Sequence, residues 1–174
     1  MAAVRLRELK EEDLSRLHGW YQQPELWDHL VGDFAPRDAA EALAYMRRWL
    51  RPSVGELRLG IEVDDDSGPR LVGLAFFSPL ELAAGQAELH IMIGDPKERG
   101  RGVGSQAVKL LVGRGLALGL RRIVLRVLAS NLAAQKVYAQ CGFRVVGQDA
   151  PAMKRGRPAE VIVMQIDKAA SPPT

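Results

Sequence analysis

The sequence predicts an α/β (α+β) protein built on a single mixed, mostly antiparallel central sheet of about seven strands, flanked by about four helices. Three observations support this fold class. The 174 residues are 47% hydrophobic and 26% charged, which is the composition of one globular domain with a buried core. Segments with strand and helix periodicity follow one another in the order β, α, α, β, β, β, α, β, α, β, β. Loops rich in Gly, Pro and Asp separate neighbouring strands.

The first part of the chain is predicted to form one strand and two helices. Residues 4–8 alternate apolar and charged side chains, which favours a strand. Residues 11–22 place apolar side chains at helical spacing behind three acidic residues, and we expect Pro24 to end this helix. A second helix is expected from about Pro36 to Leu50, because proline is favoured in the first helical turn.

The middle of the chain predicts three strands and a long helix. Residues 57–63 and 70–77 flank the sequence DDDSGP, whose composition is typical of a hairpin loop, so the two strands should pair antiparallel. Residues 87–93 form another strand. A loop and a glycine-rich segment follow, and the helix that they begin should reach about Leu118.

The last part of the chain predicts a strand, a helix and a final strand pair. Residues 122–128 are apolar and β-branched, and residues 131–141 form a helix that Gly142 can cap. Residues 143–147 and 160–166 pair around a polar loop at 154–158. We expect residues 1–168 to form a single domain and residues 169–174 a disordered tail.

Composition excludes several classes of protein. The single cysteine, Cys141, has no partner for a disulfide within the chain. No segment approaches the ~20 continuous apolar residues of a membrane span, and the N-terminal sequence lacks the apolar core of a signal peptide. We therefore expect a soluble cytoplasmic protein without a bound metal and without a membrane partner.

Charge is distributed unevenly along the chain. The formal net charge is +3, yet residues 1–98 carry 18 acidic and 11 basic side chains. Residues 99–148 carry nine basic side chains and no Asp or Glu. This segment is therefore expected to contact an anion, either a phosphate-bearing cofactor or a nucleic acid, unless it is simply a solvated basic helix face.

The sequence RGRGVGS at residues 99–105 lies where a strand ends and a helix begins. Glycines there let the backbone turn tightly, and the helix N-terminus adds amides that suit a pyrophosphate. A Walker A loop would need Gly-Lys followed by Ser or Thr, which is absent. A Rossmann fingerprint would need an acidic residue about 20 positions later, and none occurs before Asp149.

The residues around this loop support a third interpretation. The pattern Arg99-x-x-Gly102-x-Gly104 precedes a helix, a strand ending in Ala-Ser-Asn131, and then Ala134-x-x-x-Tyr138-x-x-x-Gly-Phe. This arrangement resembles the GNAT superfamily of acyl-CoA-dependent N-acyltransferases, in motif detail over about residues 86–147. The sequence WYQQPE near the start and the strand at 160–166 resemble the branch that contains ribosomal-protein N-terminal and polyamine acetyltransferases.

The resemblance implies acetyl-CoA (coenzyme A) as cofactor and assigns roles to residues of this sequence. Backbone amides at 101–105 would bind the pyrophosphate, with Arg99 and Arg101 adding positive charge. The edge of the strand at 91–93 would pair with the pantetheine arm where two strands splay apart, as in strand addition. The implied cofactor-binding residues are Ile91, Met92, Ile93, Arg99, Gly100, Arg101, Gly102, Val103, Gly104, Ser105, Asn131 and Tyr138. Asn131 is equally suited to be a helix N-cap.

Three residues are candidates for proton transfer. Amide formation needs a group that accepts a proton from the amine and an acid for the departing thiolate. Glu88 lies 11 residues before Arg99, where several members of the superfamily keep a catalytic glutamate. His90 shares its strand face and is an alternative base, or simply a structural histidine or a wall of the pocket. The resemblance places the Tyr138 hydroxyl near the sulfur as the acid.

The resemblance implies that the segment between the first two helices shapes the acceptor site. Aromatic walls combined with carboxylates such as Glu25, Asp28 and Asp33 suit a cationic amine. Packing of these aromatic side chains against the sheet would explain them equally well. The candidate substrate-binding residues are Trp20, Trp27, His29, Phe34 and Glu88.

These predictions define an acetyl-CoA-dependent N-acetyltransferase that acts by direct attack in a ternary complex. The acceptor would be a small-molecule amine, such as a polyamine or an aminoglycoside, or a peptide N-terminus. The alternative is a catalytically silent acyl-CoA-binding regulatory module on the same fold. A nucleic-acid partner is not expected, because the basic segment lacks the matching signatures. A homodimer is left open.

Overall fold

A computed structural model describes residues 3–33, 35 and 38–168. Seven strands form one sheet in the order β1-β2-β3-β4-β5-β7-β6. The strands are β1 (Ala3–Arg7), β2 (Leu57–Asp65), β3 (Gly68–Glu81), β4 (Gln86–Ile93), β5 (Arg122–Leu128), β6 (Arg144–Lys154) and β7 (Arg157–Asp167). Among the described strands, only β4 and β5 pair in parallel. The predicted mixed, mostly antiparallel seven-stranded sheet is confirmed.

Five α-helices occur within the described residues. They are α1 (Leu14–Tyr21), α2 (Pro24–Trp27), α3 (Ala39–Arg47), α4 (Val103–Ala117) and α5 (Leu132–Gln140). Short 3-10 turns at Glu11–Asp13 and Arg48–Leu50 adjoin α1 and α3, and a third at Pro96–Glu98 lies in the loop between β4 and α4. None of the helices in this part of the chain combines the length and the hydropathy needed to cross a membrane. The predicted tail at 169–174 lies outside the described residues.

Two predicted helix boundaries in the first part of the chain are wrong. The helix α1 ends at Tyr21, three residues before Pro24, and Pro24 begins α2. A proline fits there because the first helical residue has no intrahelical partner for its amide. The helix α3 begins at Ala39, where the Asp38 carboxylate caps it by accepting from the Glu41 amide at 2.8 Å. The expected start at Pro36 falls on a residue that is not described.

The last two strands are longer than predicted. The polar segment at 154–158 was expected to be a loop, but the turn contains only Arg155 and Gly156. Both residues have positive φ angles, 49° and 75°. Such a two-residue turn has the twist of a β-hairpin, so the polar residues on either side continue the ladder. The tip of this hairpin therefore extends as far as Lys154.

The helices cover both faces of the sheet. The helix α4 packs on one face over a core that includes Phe77, Leu111 and Ile123. The helices α1 and α3 pack on the other face, with Leu17 and Met46 buried against the sheet. The strand β4 contributes alternate residues to the two cores, which is the expected period of two. This alternation places Glu88 and His90 on the side of α1 and α3.

A buried ion pair fixes the start of α1 against the sheet. The Asp13 side chain is 5% exposed and accepts hydrogen bonds from Arg7 Nη1 at 2.8 Å, Arg7 Nη2 at 2.9 Å and the Lys10 amide at 2.8 Å. Burial alone would raise the pKa of Asp13, but the hydrogen bonds from Arg7 and Lys10 outweigh it and hold the pKa below its ordinary value. Asp13 therefore stays ionised in the folded protein.

The variant Asp13→Asn should lower the free energy of unfolding at pH 7 by about 2 kcal/mol, because it removes charge-assisted hydrogen bonds. The depressed pKa stabilises the native state above the unfolded pKa of about 4, and this contribution is lost as pH falls through the lower folded value. Urea unfolding should therefore show the difference between the two proteins narrowing below about pH 4. The exposed turn residue Asp66 provides a control, since Asp66→Asn should change stability by less than about 0.5 kcal/mol. If the difference in unfolding free energy between wild type and Asp13→Asn stayed the same below pH 4, the lowered pKa of Asp13 would be contradicted.

Candidate active site

The strands β4 and β5 separate soon after they pair. Their parallel ladder contains only residues 86–88 of β4 and 122–124 of β5. Beyond that point β4 remains paired with β3 on its other side, so its edge at 89–93 faces a gap in the sheet. A cleft of about 1020 Å³ occupies this gap and runs from the start of α4 to the aromatic residues between α1 and β3. The sheet therefore offers an open backbone edge inside a large cleft.

The glycine-rich loop forms one end of the cleft. Gly100 and Gly102 have φ angles of 71° and 82°, and a Cβ atom added to either would point into open space. The helix α4 begins directly after Gly102, and no side chain caps its first amides. These amides and the positive end of the helix dipole are therefore available to an anion.

The two arginines of the loop have different positions. Arg99 lines the cleft, and its guanidinium donates to the carbonyl oxygens of Ile93 at 3.0 Å and Gly94 at 3.3 Å. The Arg101 side chain is 63% exposed and lies 3.4 Å from the Glu98 carboxylate, outside the cleft lining. Glu98 itself is buried and also pairs with Arg70, which ties the loop to β3. The pairing of Glu98 with Arg70 joins residues that are far apart in the chain and was not predicted.

The helix α5 supplies the side wall of the cleft. Asn131 caps the helix by accepting from the Ala134 amide at 3.1 Å, and its Nδ2 donates to the His29 carbonyl at 3.2 Å. The predicted N-cap role is therefore observed. Tyr138 lines the cleft about two turns further along the same helix, next to Phe143. Burial raises the pKa of Tyr138 to about 12, so its Oη holds a proton throughout the neutral range.

Coenzyme A fits the residues present. The loop at 100–105 provides amides that no Cβ obstructs, and the β4 edge provides donors and acceptors for an extended amide-bearing arm. Tyr138 and Asn131 lie on the wall opposite that edge. Of the predicted cofactor residues, only Arg101 and Val103 have side chains outside the cleft lining. The resemblance implies contacts through both backbone amides, but the Arg101 side chain, which was also expected to add charge there, pairs with Glu98 instead.

Glu88 and His90 lie together in the cleft lining, next to its aromatic residues. Glu88 Oε1 accepts from Arg126 Nε at 2.7 Å and lies 3.5 Å from His90 Nε2. The same His90 Nε2 lies 2.8 Å from the Ser78 carbonyl oxygen, which can only accept, so this nitrogen donates and carries a proton. His90 could therefore accept a proton only at Nδ1, whereas the Glu88 carboxylate has both oxygens as acceptors.

Arg126 is the partner of Glu88 that the sequence analysis did not predict. Its Nη1 also lies 3.5 Å from Asp149 on β6, so the guanidinium bridges two carboxylates. The hydrogen bond from Arg126 to Glu88 is the main cause of a raised pKa for Arg126, although burial opposes it. Glu88 and Arg126 are 38 residues apart in the chain, and only the adjacent positions of β4 and β5 bring them together.

Aromatic side chains form the other end of the cleft. Tyr21 packs edge-on against Trp27 with ring centroids 5.1 Å apart, and Trp49 packs at 88° against Phe76 with centroids 4.9 Å apart. Phe76 in turn stacks on His90. Trp27 and His29 line the cleft as predicted, whereas Tyr21, Trp49 and Phe76 were not among the predicted substrate-binding residues.

One predicted acceptor residue lies outside the cleft, and another is not described. Trp20 does not line the cleft: it is 6% exposed and packs in the core so closely on Gly94 that a Cβ there would overlap the indole. Its position on the buried stripe of α1 with Leu17 explains this. We therefore leave Trp20 out of the acceptor site. Phe34 is not among the described residues.

The carboxylates of the loop after α2 point away from the cleft. Arg155 pairs with Asp28 at 2.7 Å, and its amide donates to Asp33 at 3.0 Å. Lys154 donates to the carbonyls of Trp27, at 2.7 Å, and of Gly32. Burial is the main cause of a lowered pKa for Lys154. The hairpin tip thus holds this loop in place, and neither Asp28 nor Asp33 lines the cleft.

A sheet that opens between β4 and β5 beside a glycine-rich helix start is the arrangement of a coenzyme A-dependent N-acetyltransferase. A family model described as an acetyltransferase (GNAT) domain matches residues 3–144. The chain belongs to this GNAT acetyltransferase family, whose domains use acetyl-CoA as cofactor.

Known proteins are similar along most of the chain. An N-acetyltransferase 9-like protein of Nematostella vectensis is 25% identical over 149 residues, which are 80% of this chain and 73% of that relative. A spermidine N-acetyltransferase of Vibrio cholerae, solved with CoA and spermine, superposes with a TM-score of 0.83 at 23% identity, covering 95% of this chain and 96% of that one. A domain from Methanocaldococcus jannaschii gives a TM-score of 0.77 at 17% identity, covering 97% and 100%. At these identities the two structures support the fold.

Proposed function

We propose that this protein transfers the acetyl group of acetyl-CoA to a primary amine by direct attack while both substrates occupy the cleft. The observation that supports this proposal most strongly is the continuity of the cleft. One space joins the anion loop, the open edge of β4, the Glu88 carboxylate and the aromatic end. An amine bound at the aromatic end and a cofactor bound at the loop would therefore meet beside Glu88.

Bound acetyl-CoA would supply the acetyl group as an activated thioester. The backbone amides at the start of α4 would hold its pyrophosphate, and residues 91–93 of β4 would align its extended arm. Alignment of this kind lowers the barrier by fixing the two reacting atoms in place. The open edge of β4 would thus determine where the acetyl carbon stands relative to the amine.

Two protons must move as the new C–N bond forms and the C–S bond breaks. Glu88 would accept the proton from the amine nitrogen, directly or through water, at the carboxylate oxygen that does not accept from Arg126. The Tyr138 hydroxyl would donate its Oη proton to the departing sulfur. The raised pKa of Tyr138 keeps this proton on the hydroxyl at neutral pH. Arg126 would orient Glu88 by donating from its Nε at 2.7 Å, while His90 donates its Nε2 proton to the Ser78 carbonyl.

The variant Glu88→Gln should lower kcat/KM by about tenfold or more at neutral pH, because the amide cannot accept a proton. It should also remove the lower-pH limb of the rate profile. The measurement is kcat/KM against pH with saturating acetyl-CoA. The exposed Glu81, at the end of β3 and outside the cleft, gives a matched control in Glu81→Gln, which should keep the wild-type profile. If Glu88→Gln also keeps that profile, Glu88 is not the base.

A thiol-release assay tests the proposed function as a whole. Acetyl-CoA is incubated with polyamines, aminoglycosides, amino acids and peptides in turn, and mass spectrometry identifies the N-acetylated product. We expect acceptor-dependent release of coenzyme A with at least one class of amine. Tight binding of acetyl-CoA without transfer to any amine would instead support the silent binding module.

A further inference from the structure

The charges at the aromatic end of the cleft do not match a polycation. Two carboxylates, Glu56 and Glu88, and three guanidiniums, of Arg48, Arg58 and Arg126, line this end. Each carboxylate already pairs with an arginine: Glu56 with Arg58, and Glu88 with Arg126 at 2.7 Å. Arg126 also lies 3.5 Å from Asp149, so among the three arginines only Arg48 has no ion-pair partner within the described residues. This contrasts with the acidic pocket that the sequence suggested.

Glu56 has little capacity left for a second cation. Its Oε1 accepts from the Ser78 hydroxyl at 2.8 Å, and its Oε2 accepts from Arg58. Burial opposes ionisation, but the hydrogen bonds from Ser78 and Ser53 and the charges of Arg58 and Arg48 lower the pKa of Glu56. The carboxylate therefore serves to hold Arg58 and stays ionised while it does so.

Arg58 is held in a fixed position by this environment. Its side chain is 14% exposed, its Nη1 donates to the Arg48 carbonyl at 2.6 Å, and its guanidinium carbon lies 5.2 Å from the Trp49 ring centroid. An arginine fixed against an aromatic face is well suited to recognise a carboxylate or phosphate.

Arg48 supplies the unpaired charge. Its guanidinium carbon lies 5.9 Å from the Tyr45 ring centroid, and no carboxylate in the described part of the chain forms an ion pair with it. It lines the cleft beside Arg58. Arg48 therefore presents an unpaired positive charge to the part of the acceptor at this end, next to the fixed guanidinium of Arg58.

We infer that the acceptor is an amine that also carries an anionic group, a carboxylate or a phosphate, which Arg48 and Arg58 bind at the aromatic end while the amine lies beside Glu88. This inference rests on the proposed acetyl transfer. The anionic group of such an acceptor would lie against Arg48 and Arg58. Its ammonium would be attracted to Glu88 before the ammonium loses its proton. A polyamine would instead place a second cation next to Arg48.

Matched pairs of amines test the inference in the thiol-release assay. Lysine differs from cadaverine by its carboxylate, and glucosamine 6-phosphate differs from glucosamine by its phosphate. We expect the anionic member of at least one pair to have a kcat/KM at least tenfold higher than its partner. A preference in the lysine pair identifies the anion as a carboxylate, and one in the glucosamine pair as a phosphate.

Charge reversal shows whether Arg48 causes this preference. The variant Arg48→Glu should reduce the ratio of kcat/KM within the preferred pair at least tenfold and leave the KM for acetyl-CoA unchanged. Arg51→Glu makes the same change in charge at an exposed position outside the cleft lining and should keep the wild-type ratio. An equal loss in both variants would contradict a specific role for Arg48.

The outcomes separate the inference from the proposed function. If amines without an anionic group, such as spermidine or cadaverine, are acetylated as well as or better than every anionic amine, the inference is overturned and the acetyltransferase function stands. If no amine of either kind releases thiol, the proposed function fails and the inference fails with it.

Discussion

Replacing Gly102 by valine should weaken the binding of coenzyme A by about 100-fold or more. Gly102 has a φ angle of 82°, which a β-branched residue adopts only with strain, and it immediately precedes α4. A side chain there would occupy the open space through which a pyrophosphate approaches the helix amides. A 100-fold loss corresponds to about 2.7 kcal/mol of binding free energy. Titration calorimetry with coenzyme A measures it directly.

The same substitution at Gly113 separates binding from folding. Gly113 lies within α4 on an exposed face, where a Cβ atom meets nothing within 4 Å. Gly113→Val should leave both coenzyme A affinity and stability nearly unchanged, because valine is at least as good a helix former as glycine. Wild-type affinity in Gly102→Val would show that the cofactor does not bind at this loop.

Replacing Tyr138 by phenylalanine should lower kcat by about 100-fold, which is within the range for loss of a general acid. The ring remains, so packing against Phe143 and the shape of the cleft are retained. The dissociation constant for coenzyme A should stay within about twofold of wild type. Stopped-flow or steady-state rates and calorimetry on the same protein give the two numbers.

The pH dependence sharpens this prediction. Since burial raises the pKa of Tyr138 to about 12, the phenol keeps its proton below that value and loses it only above. Tyr138 should therefore produce no decline in wild-type rate between pH 7 and 10. Unchanged kcat in Tyr138→Phe would exclude Tyr138 as the acid, and an equal loss of affinity and rate would indicate a role in binding alone.

Much of the fold follows from local sequence patterns. The alternation along 86–93 correctly separates the Leu89 face of β4 from the Glu88 face, and the predicted mixed sheet of seven strands is confirmed. The ends of elements were harder to predict, because a proline can end a helix or begin one. Pro24 does the second. The polar hairpin tip at Arg155 and Gly156 likewise depends on positive φ angles that composition alone does not reveal.

The site could be predicted where its residues are contiguous. The loop at 99–105 is one segment, so its glycines and helix start are visible in the sequence. Contacts between distant segments could not be predicted, and these determine the charge of the acceptor end. Glu88 meets Arg126, and Asp28 meets Arg155, only after folding. The sequence does not distinguish the burial of Trp20 from that of Trp27. Trp20 lies on the buried stripe of α1, whereas Trp27 lines the cleft.

The central claim is that the acetyl group passes directly from cofactor to amine while both occupy one cleft. Initial rates measured with acetyl-CoA and the best acceptor varied together test it most directly. Direct transfer requires that the reciprocal plots intersect, as they do for a ternary complex. Parallel lines, together with an acetyl group found on the protein itself, would contradict it.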